Sequence, residues 1–425
     1  MPTAPYPSAQ QFLLAARQCE IQGLEQLAQT CELVGHVSRL VHELQRERGL
    51  SNVFLASQGC RYAQQRAEQV QECLQPEQEL RRFFASLNLK QCQMSGHVRQ
   101  FSRIAAVLQG LDALPELRRS VIEQHLTAAQ ATQAFIQLIG SLLAVVFEAA
   151  DASADPDLTR LLVAMFNFMQ GKELAGQERA WGARGFAAGH FELEDQQGLQ
   201  LLIEGQERCF ELFADFTAAE ALGLWQQLLT DKPHEELLKL RQVVSRSQAD
   251  QQVPSAFSEV WYDVATARID AMKIIEDQLA ETLKTRSEER IQLARRELKN
   301  QQQLLQQLDL QSRLTEPPPS FWVEGQLTGV GRSLCELVQA QSQRLQQMQD
   351  ELQAARQALN ERKLIEKAKG LLMQHRQLTE EQAWRQLRQA AMEQNRRLVD
   401  VAERVIGLIG LLQVNNKDAG SNNAQ

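Results

Sequence analysis

The stretch Glu361–Leu412, ERKLIEKAKGLLMQHRQLTEEQAWRQLRQAAMEQNRRLVDVAERVIGLIGLL, reads as three short helices in succession. Ile365, Ala368 and Leu372 fall at helical spacing and form one apolar stripe. Ala383, Leu387 and Ala390 form a second, and Val401 with Val405 a third. The first helix is expected to end near Gln374. Thr379 caps the second, with Gln382 at N3 completing a capping box, Asn395 ends it, and the third runs from about Leu398. The expected product is a three-helix unit with a very small core. From Arg356 to Leu412, eleven Arg or Lys stand against seven Asp or Glu, about +4, in a chain of net charge −8, which leaves about −12 for the rest. A basic end on an acidic body suits a small nucleic-acid reader attached to something else. On charge alone, Lys363, Lys367, Lys369, Arg385 and Arg388 either solvate a helix surface or meet phosphates. Ala368 and Gly370 flank Lys369, where small side chains would let a phosphate or a loop base approach.

Upstream, Val338, Leu345, Leu352 and Leu359 recur every seven residues with Met348 and Ala355 between them. This is a heptad seam of three repeats, which predicts a coiled coil and a homodimer; the alternative is a helix packed on its own body. Three prolines at 317–319 cannot continue a helix. Phe321–Gly331 is expected to be a loop or a short irregular piece. Ser287–Gln307 is rich in Gln and Arg and lacks a broad apolar face, which predicts an exposed helical stalk. From residue 9 to about 300 the pattern is a succession of amphipathic helices. Breaks are expected near Gly59, Leu87–Gln91, Leu114–Pro115, Ala152–Pro156, Gly189 and Thr230–Pro233. Some 290 residues of helix exceed one small bundle, so two packed bundles are expected.

Composition agrees with an all-α protein. Aromatic residues make up only 6% of the chain, and long stretches are rich in Leu, Ala, Gln and Glu. The seven cysteines (19, 31, 60, 73, 92, 209, 335) are scattered and contain no Cys-x-x-Cys pair, which predicts reduced thiols. The first residues, MPTAPYPSAQQF, lack the pattern of a secretory signal, and the longest apolar stretches, such as Leu142–Val146, are far short of a membrane span. The expectation is a soluble, cytoplasmic protein. Gly-rich phosphate loops, His-x-x-x-His pairs and nucleophile elbows are not found in the sequence, and its seven histidines do not cluster, so no enzyme, metal or cofactor is expected.

Three arginines sit where a helical wheel expects apolar side chains. Leu44, Arg48, Ser51 and Leu55 share one face; Leu161, Met165, Phe168, Lys172 and Arg179 line another; Trp261, Ala265, Arg268, Met272 and Ile275 line a third. A core-facing guanidinium is costly unless its charge is met. Internal carboxylates are one possible partner: Glu47, Glu173, Glu178, Asp270 and Glu276 are all near in sequence. A captured small planar oxyanion is the other, because guanidinium is a planar fork of donors. Arg208, on a face with Leu201, Gly205 and Leu212, is a weaker candidate. Gly182, Gly185 and Gly189 suit close helix packing or helix termination.

Two resemblances bear on these alternatives. IEKAKGLLM, LTEEQAWRQLRQAAM and LVDVAERVI, in that order, resemble the ANTAR domain, an RNA-binding output module of antitermination regulators. The resemblance implies a dimer that binds paired stem-loops in leader mRNA and prevents a terminator from forming. It makes Lys369 and Arg388 candidates for direct contact, with Lys363, Lys367, Arg385, Arg396 and Arg397 as phosphate neutralisers beside Ala368 and Gly370. QRERGLSNVFLASQG (45–59), GKELAGQERAWGARGFAAGHF (171–191) and WYDVATARIDAMKIIEDQL (261–279) resemble the signature stretches of the NIT domain, a nitrate- and nitrite-sensing module. Carried over by motif, Arg48, Arg179 and Arg268 become the expected anion ligands, with Ser51 and Lys172 second and Arg208 behind them.

The expected organisation is a helical lead-in at 1–29, a double helical bundle with the NIT sensor at 30–285 and a helical and coiled-coil linker at 286–355. An ANTAR three-helix bundle at 356–414 and a disordered tail at 415–425 complete it. The rival readings are a ligand-independent coiled-coil scaffold and a DNA-binding regulator whose basic three-helix unit enters a major groove.

Overall fold

The computed structural model describes residues 9–87, 98–247, 252–314, 322–323, 326–327, 329–378 and 380–421. It separates into two compact units, 1–349 and 350–425. The proline break at 317–319, Cys92 and the capping residue Thr379 lie outside the described residues.

The first four helices are α1 (Ala9–Ala56), α2 (Ala63–Ser86), α3 (Val98–Ile122) and α4 (Ala128–Ala152). They form one bundle, with α1 against α2 and α4, and α3 against α2 and α4. A complete capping box starts α4: Thr127 Oγ accepts from the Gln130 amide, and Gln130 Oε1 accepts from the Thr127 amide. By length and apolarity α4 alone among the described helices could cross a membrane, a property its short apolar runs conceal. Its buried residues, Phe135 to Ala150, face α1, α3 and α5.

The break expected at Leu114–Pro115 is corrected. α3 runs through Pro115, just as α2 runs through Pro76, and it ends at Ile122. An interior proline costs a helix about 3 kcal/mol. Leu111, Leu114, Arg118 and Val121, all buried around the ring, supply enough packing to hold the helix.

The second bundle holds α5 (Pro156–Ala188), α6 (Leu193–Phe216), α7 (Ala219–Thr230), α8 (Lys232–Arg246) and α9 (Phe257–Leu314). Asp155 caps α5 through a bond from the Leu158 amide, Pro156 fills its first turn, and Gly189 ends it in the left-handed region at φ 75°. Contacts of α1 with α9 and of α4 and α1 with α5 join the two bundles. The core between α5, α6 and α7 is aromatic: Phe168, Phe210, Phe213 and Trp225 stack and tilt on one another. Where α5 meets α9, Gly182 leaves room for the Trp261 indole, whose Nε1 donates to the Arg179 carbonyl at 3.1 Å. Gly185 likewise admits the Phe191 ring, so both glycines serve packing.

The stalk expected at Ser287–Gln307 is exposed over most of its residues, but one seam of it is packed. Ala294 is buried, and Ile291 and Leu298 half-buried, against Ile21 and Leu24 of α1. The apolar seam is narrow, but it has a partner in the first half of α1, which a reading of one segment cannot supply.

Beyond α9, β1 (Trp322–Val323) and β2 (Gln326–Leu327) pair antiparallel where an irregular piece is expected. They are followed by α10 (Gly329–Arg376), α11 (Glu380–Glu393) and α12 (Leu398–Ser421). Among the described residues the fold is all-α apart from that two-residue ladder. The expected three-helix core is present: Ala368, Leu372, Ala383, Leu387, Ala391, Val401 and Ala402 are buried together, flanked by Ile365, Ala390 and Val405. Asn395, at φ 47°, turns the chain between α11 and α12. α12 runs to Ser421, into the stretch 415–425 expected as a tail. Extending a formed helix by a residue costs far less than nucleating one.

Candidate functional site

Arg48 on α1 and Arg179 on α5 are 1% and 3% exposed, and each reaches across to the opposite helix. Glycine makes this crossing possible in both directions. A β-carbon on Gly176 of α5 would sit 2.5 Å from Arg48 Nη2, and one on Gly49 of α1 would sit 2.5 Å from Arg179 Nη2. Between them runs a narrow cleft lined by Arg48, Gly49, Asn52, Gly176, Arg179 and Tyr262, with Val53, Ala180 and Ala183 as its apolar wall.

The two guanidiniums are neutralised differently. Arg48 forms a two-pronged ion pair with Glu173, whose Oε2 also accepts from Gln45 Nε2 at 2.9 Å. Arg179 has no ion pair among the described residues. It donates to Thr266 Oγ1 at 2.9 Å and to the Gln45 carbonyl at 3.2 Å, lies over the Tyr262 ring at 5.0 Å, and its buried Nε has no partner among the described residues. Burial draws its basicity below the usual guanidinium value, Tyr262 opposes that, and Arg48 adds to it. The choice between internal carboxylate and captured anion therefore divides: Arg48 has the first, and Arg179 lacks it.

Arg268 does not share that cleft. It is 5% exposed on α9 and donates to Gln206 Oε1 at 2.9 Å, and its buried Nε has no partner among the described residues. The nearby carboxylate, Glu178, is taken by Arg241 of α8 through two bonds of 2.7 Å and by Gln206 Nε2. Burial, reinforced by Arg241 and opposed by Glu178, pushes Arg268 down to about 9. Burial would raise Glu178, but Arg241 overrides it and holds the carboxyl below its usual range.

Lys172 belongs to a third cluster. Fully buried, it binds Glu276 Oε2 at 2.6 Å, with Ser38 and His42 alongside. Ser51 is buried, and its hydroxyl has no partner among the described residues. Arg208 is exposed on α6, which corrects its expected core-facing position.

In the unit 350–425, Ala368 is fully buried in the core, so it is not a surface for RNA, which corrects that assignment. Lys369 is only 8% exposed; it pairs with Glu366 at 3.0 Å and lies 5.8 Å over the Trp384 ring. Lys367, Gly370 and Arg396 are exposed, with open space around Gly370, while Lys363, Arg385 and Arg388 are half-buried. Arg397 is exposed and paired to Glu361 at 2.5 Å.

Residues 39–284 match the family model described as nitrate and nitrite sensing, NIT, and residues 353–406 match the ANTAR domain. The chain is 35% identical to the nitrate regulatory protein of Klebsiella oxytoca over 97% of this chain and 98% of that one. Its fold matches the solved NasR transcription antiterminator at a TM-score of 0.58 and 33% identity, covering 93% of this chain and 98% of that one. The chain belongs to the NIT family of nitrate and nitrite sensing proteins.

Within the NIT domain, the partners that the sequence reading missed are Gly49, Gly176, Gln45, Tyr262, Gln206 and Arg241. Gly49 and Gly176 carried a signal, since each lies within a turn of an arginine on a core face. Arg241 did not: its ion pair with Glu178 spans 63 residues.

Proposed function

We propose that this chain is a nitrate- and nitrite-responsive regulator of transcription antitermination, acting in the cytoplasm without enzymatic activity. The observation that carries the sensor half is the cleft between α1 and α5. Two buried guanidiniums meet there, and Arg179 has no carboxylate of its own among the described residues. A small planar oxyanion suits that pair, because it can accept from two forks at once and supply the missing charge. Arg48 and Arg179 are the proposed ligands. Arg268 joins them only by turning away from Gln206, and Ser51 and Lys172 stand behind them as polar neighbours in the sensor core.

The output half rests on the ANTAR match and the basic surface around Lys367, Arg388 and Arg396. The domain binds stem-loops of a leader mRNA, where single-stranded loop bases are open to side chains, and so keeps the terminator from forming in transcripts for nitrate assimilation. The active form is a homodimer; Val338 and Leu345, seven residues apart on α10 and exposed, supply part of its seam. The anion acts by binding the active arrangement of α1, α5 and α9 more tightly than the inactive one.

The test is binding of labelled leader-RNA hairpins by the purified chain with nitrate, nitrite or chloride, and of the equivalent duplex DNA. Nitrate and nitrite should each tighten RNA binding and chloride should not. An affinity indifferent to all three anions would sink the coupling, and equal binding of duplex DNA would favour a DNA-binding regulator.

A further inference from the structure

We propose that Glu173 is a resident counter-ion that fills the guanidinium fork of Arg48 until an anion displaces it, and that it thereby sets the affinity of the cleft. The inference rests on reading that cleft as the anion site.

The Glu173 carboxylate is saturated. Oε1 accepts from Arg48 Nη1 and from Gln177 Nε2 at 2.9 Å; Oε2 accepts from Arg48 Nη2 at 3.1 Å and from Gln45 Nε2 at 2.9 Å. Four donors on two coplanar oxygens use the full accepting capacity of the group. Two oxygens of a planar oxyanion present the same edge to a guanidinium as a carboxylate does, so one fork can take either. An anion that enters the cleft and engages the same edge of Arg48 competes with Glu173 for those donors.

The residues around Glu173 make the exchange consequential. Gln45 donates to Glu173 through its side chain while its carbonyl accepts from Arg179. Loss of the first bond loosens the turn of α1 that positions the second arginine. Arg48, Arg179 and Glu173 together carry one net positive charge, enough to hold one monoanion. Removing Glu173 raises that to two and leaves an empty place shaped for a carboxylate.

The experiment uses the full chain, with sodium nitrate, sodium formate and sodium chloride as probes, followed by calorimetry and thermal unfolding. Glu173→Ala should melt lower than wild type without added anion, bind nitrate at least about tenfold more tightly, and recover thermal stability on addition of formate. Formate should leave the wild type unmoved at the same concentration. Glu47→Ala, which strips Arg118 of its buried partner on another face of α1, should gain neither response. If Glu173→Ala does not fold, Glu173→Asp, which withdraws the carboxylate by one methylene, should bind nitrate more tightly than wild type by a smaller factor. Wild-type nitrate binding that is not tightened in the variant that folds overturns the proposal alone. No nitrate binding in any of these proteins overturns the reading of the cleft, and the proposal with it.

Discussion

Arg48 Nη2 lies 2.5 Å from the point where a β-carbon on Gly176 would stand, so the guanidinium occupies space that only glycine leaves open on α5. Gly49 opens the matching space on α1 for Arg179. The cleft is thus built from two reciprocal openings, and the glycines are as much part of it as the arginines.

Gly176→Ala should therefore fold, because the atom it meets is the far end of a flexible side chain. It should nevertheless weaken nitrate binding by about tenfold or more, since a shift of a few tenths of an ångström breaks a two-pronged contact. Gly49→Ala, which meets Tyr262 Oη as well as Arg179, should weaken it further. Calorimetric titration with nitrate measures both, and an unchanged affinity in Gly176→Ala would place the ligand elsewhere.

Replacing the two arginines should have opposite effects on stability. Arg48→Ala leaves Glu173 buried without its ion-pair partner and should cost about 3 kcal/mol or more. Arg179→Met removes a buried cation that has no ion pair among the described residues, so it should be neutral or stabilising without anion. Both should abolish measurable nitrate binding. Urea unfolding at neutral pH with and without nitrate separates the two cases.

The helical class and the three arginine faces were legible because both follow from spacing along a single helix. Candidate carboxylates could be named, but which of them each arginine meets could not. Arg48 and Glu173 are 125 residues apart, and periodicity on α1 says nothing about which turn of α5 will face it. The same gap explains why Ser287–Gln307 reads as a stalk: Ile291 and Leu298 look too sparse for burial until Ile21 and Leu24 are placed against them. Pro115 misled for a different reason, since local propensity yielded there to the packing of Leu111, Leu114 and Val121. In the output domain the core stripes were readable, whereas the burial of Lys369 under Trp384 depends on how α10 meets α11.

Arg268 is a test of that distinction. With Glu178 committed to Arg241, Arg268→Met should raise stability by about 1–3 kcal/mol near neutral pH. It should weaken nitrate binding less than Arg179→Met does, because Arg268 lines the neighbouring cluster. A loss of nitrate affinity equal to that of Arg179→Met would show that Arg268 turns into the cleft on binding.

Acid should destabilise the sensor through His42. Burial, followed by Lys172 and Lys273, pushes this imidazole down to about 2, against an ordinary value of 6.5. Between those values the unfolded chain binds the proton and the folded chain does not. Stability is therefore full above 6.5 and falls as pH drops toward 2, by up to about 1.4 kcal/mol per pH unit. His234, lowered to about 4 chiefly by burial, contributes over a narrower window. His42→Gln should flatten the loss between pH 6.5 and 4.5 in urea unfolding; an unchanged slope would refute the assignment.

On the output side, charge reversal of exposed Lys367 and Arg396 should weaken RNA binding across hairpin sequences. It should also reduce the salt dependence of that binding by about one unit for each phosphate that is no longer neutralised. Lys369→Ala should in addition lower the melting temperature of the unit 350–425, because it removes packing over Trp384. Gel shifts at several salt concentrations, together with thermal unfolding, tell the two kinds of residue apart.

α9 holds Tyr262 and Thr266 beside the cleft, Arg290 on the cap of α5, and Ala294 and Leu298 against the start of α1. At about 1.5 Å per residue, the 33 steps from Tyr262 to Arg295 span about 50 Å of unbroken helix. Such an element behaves as a driveshaft. On the proposed reading of the cleft, a rotation imposed at Tyr262 would be carried along one continuous helix to the far gearing, where Arg295 pairs with Glu25 and Arg344 with Glu297.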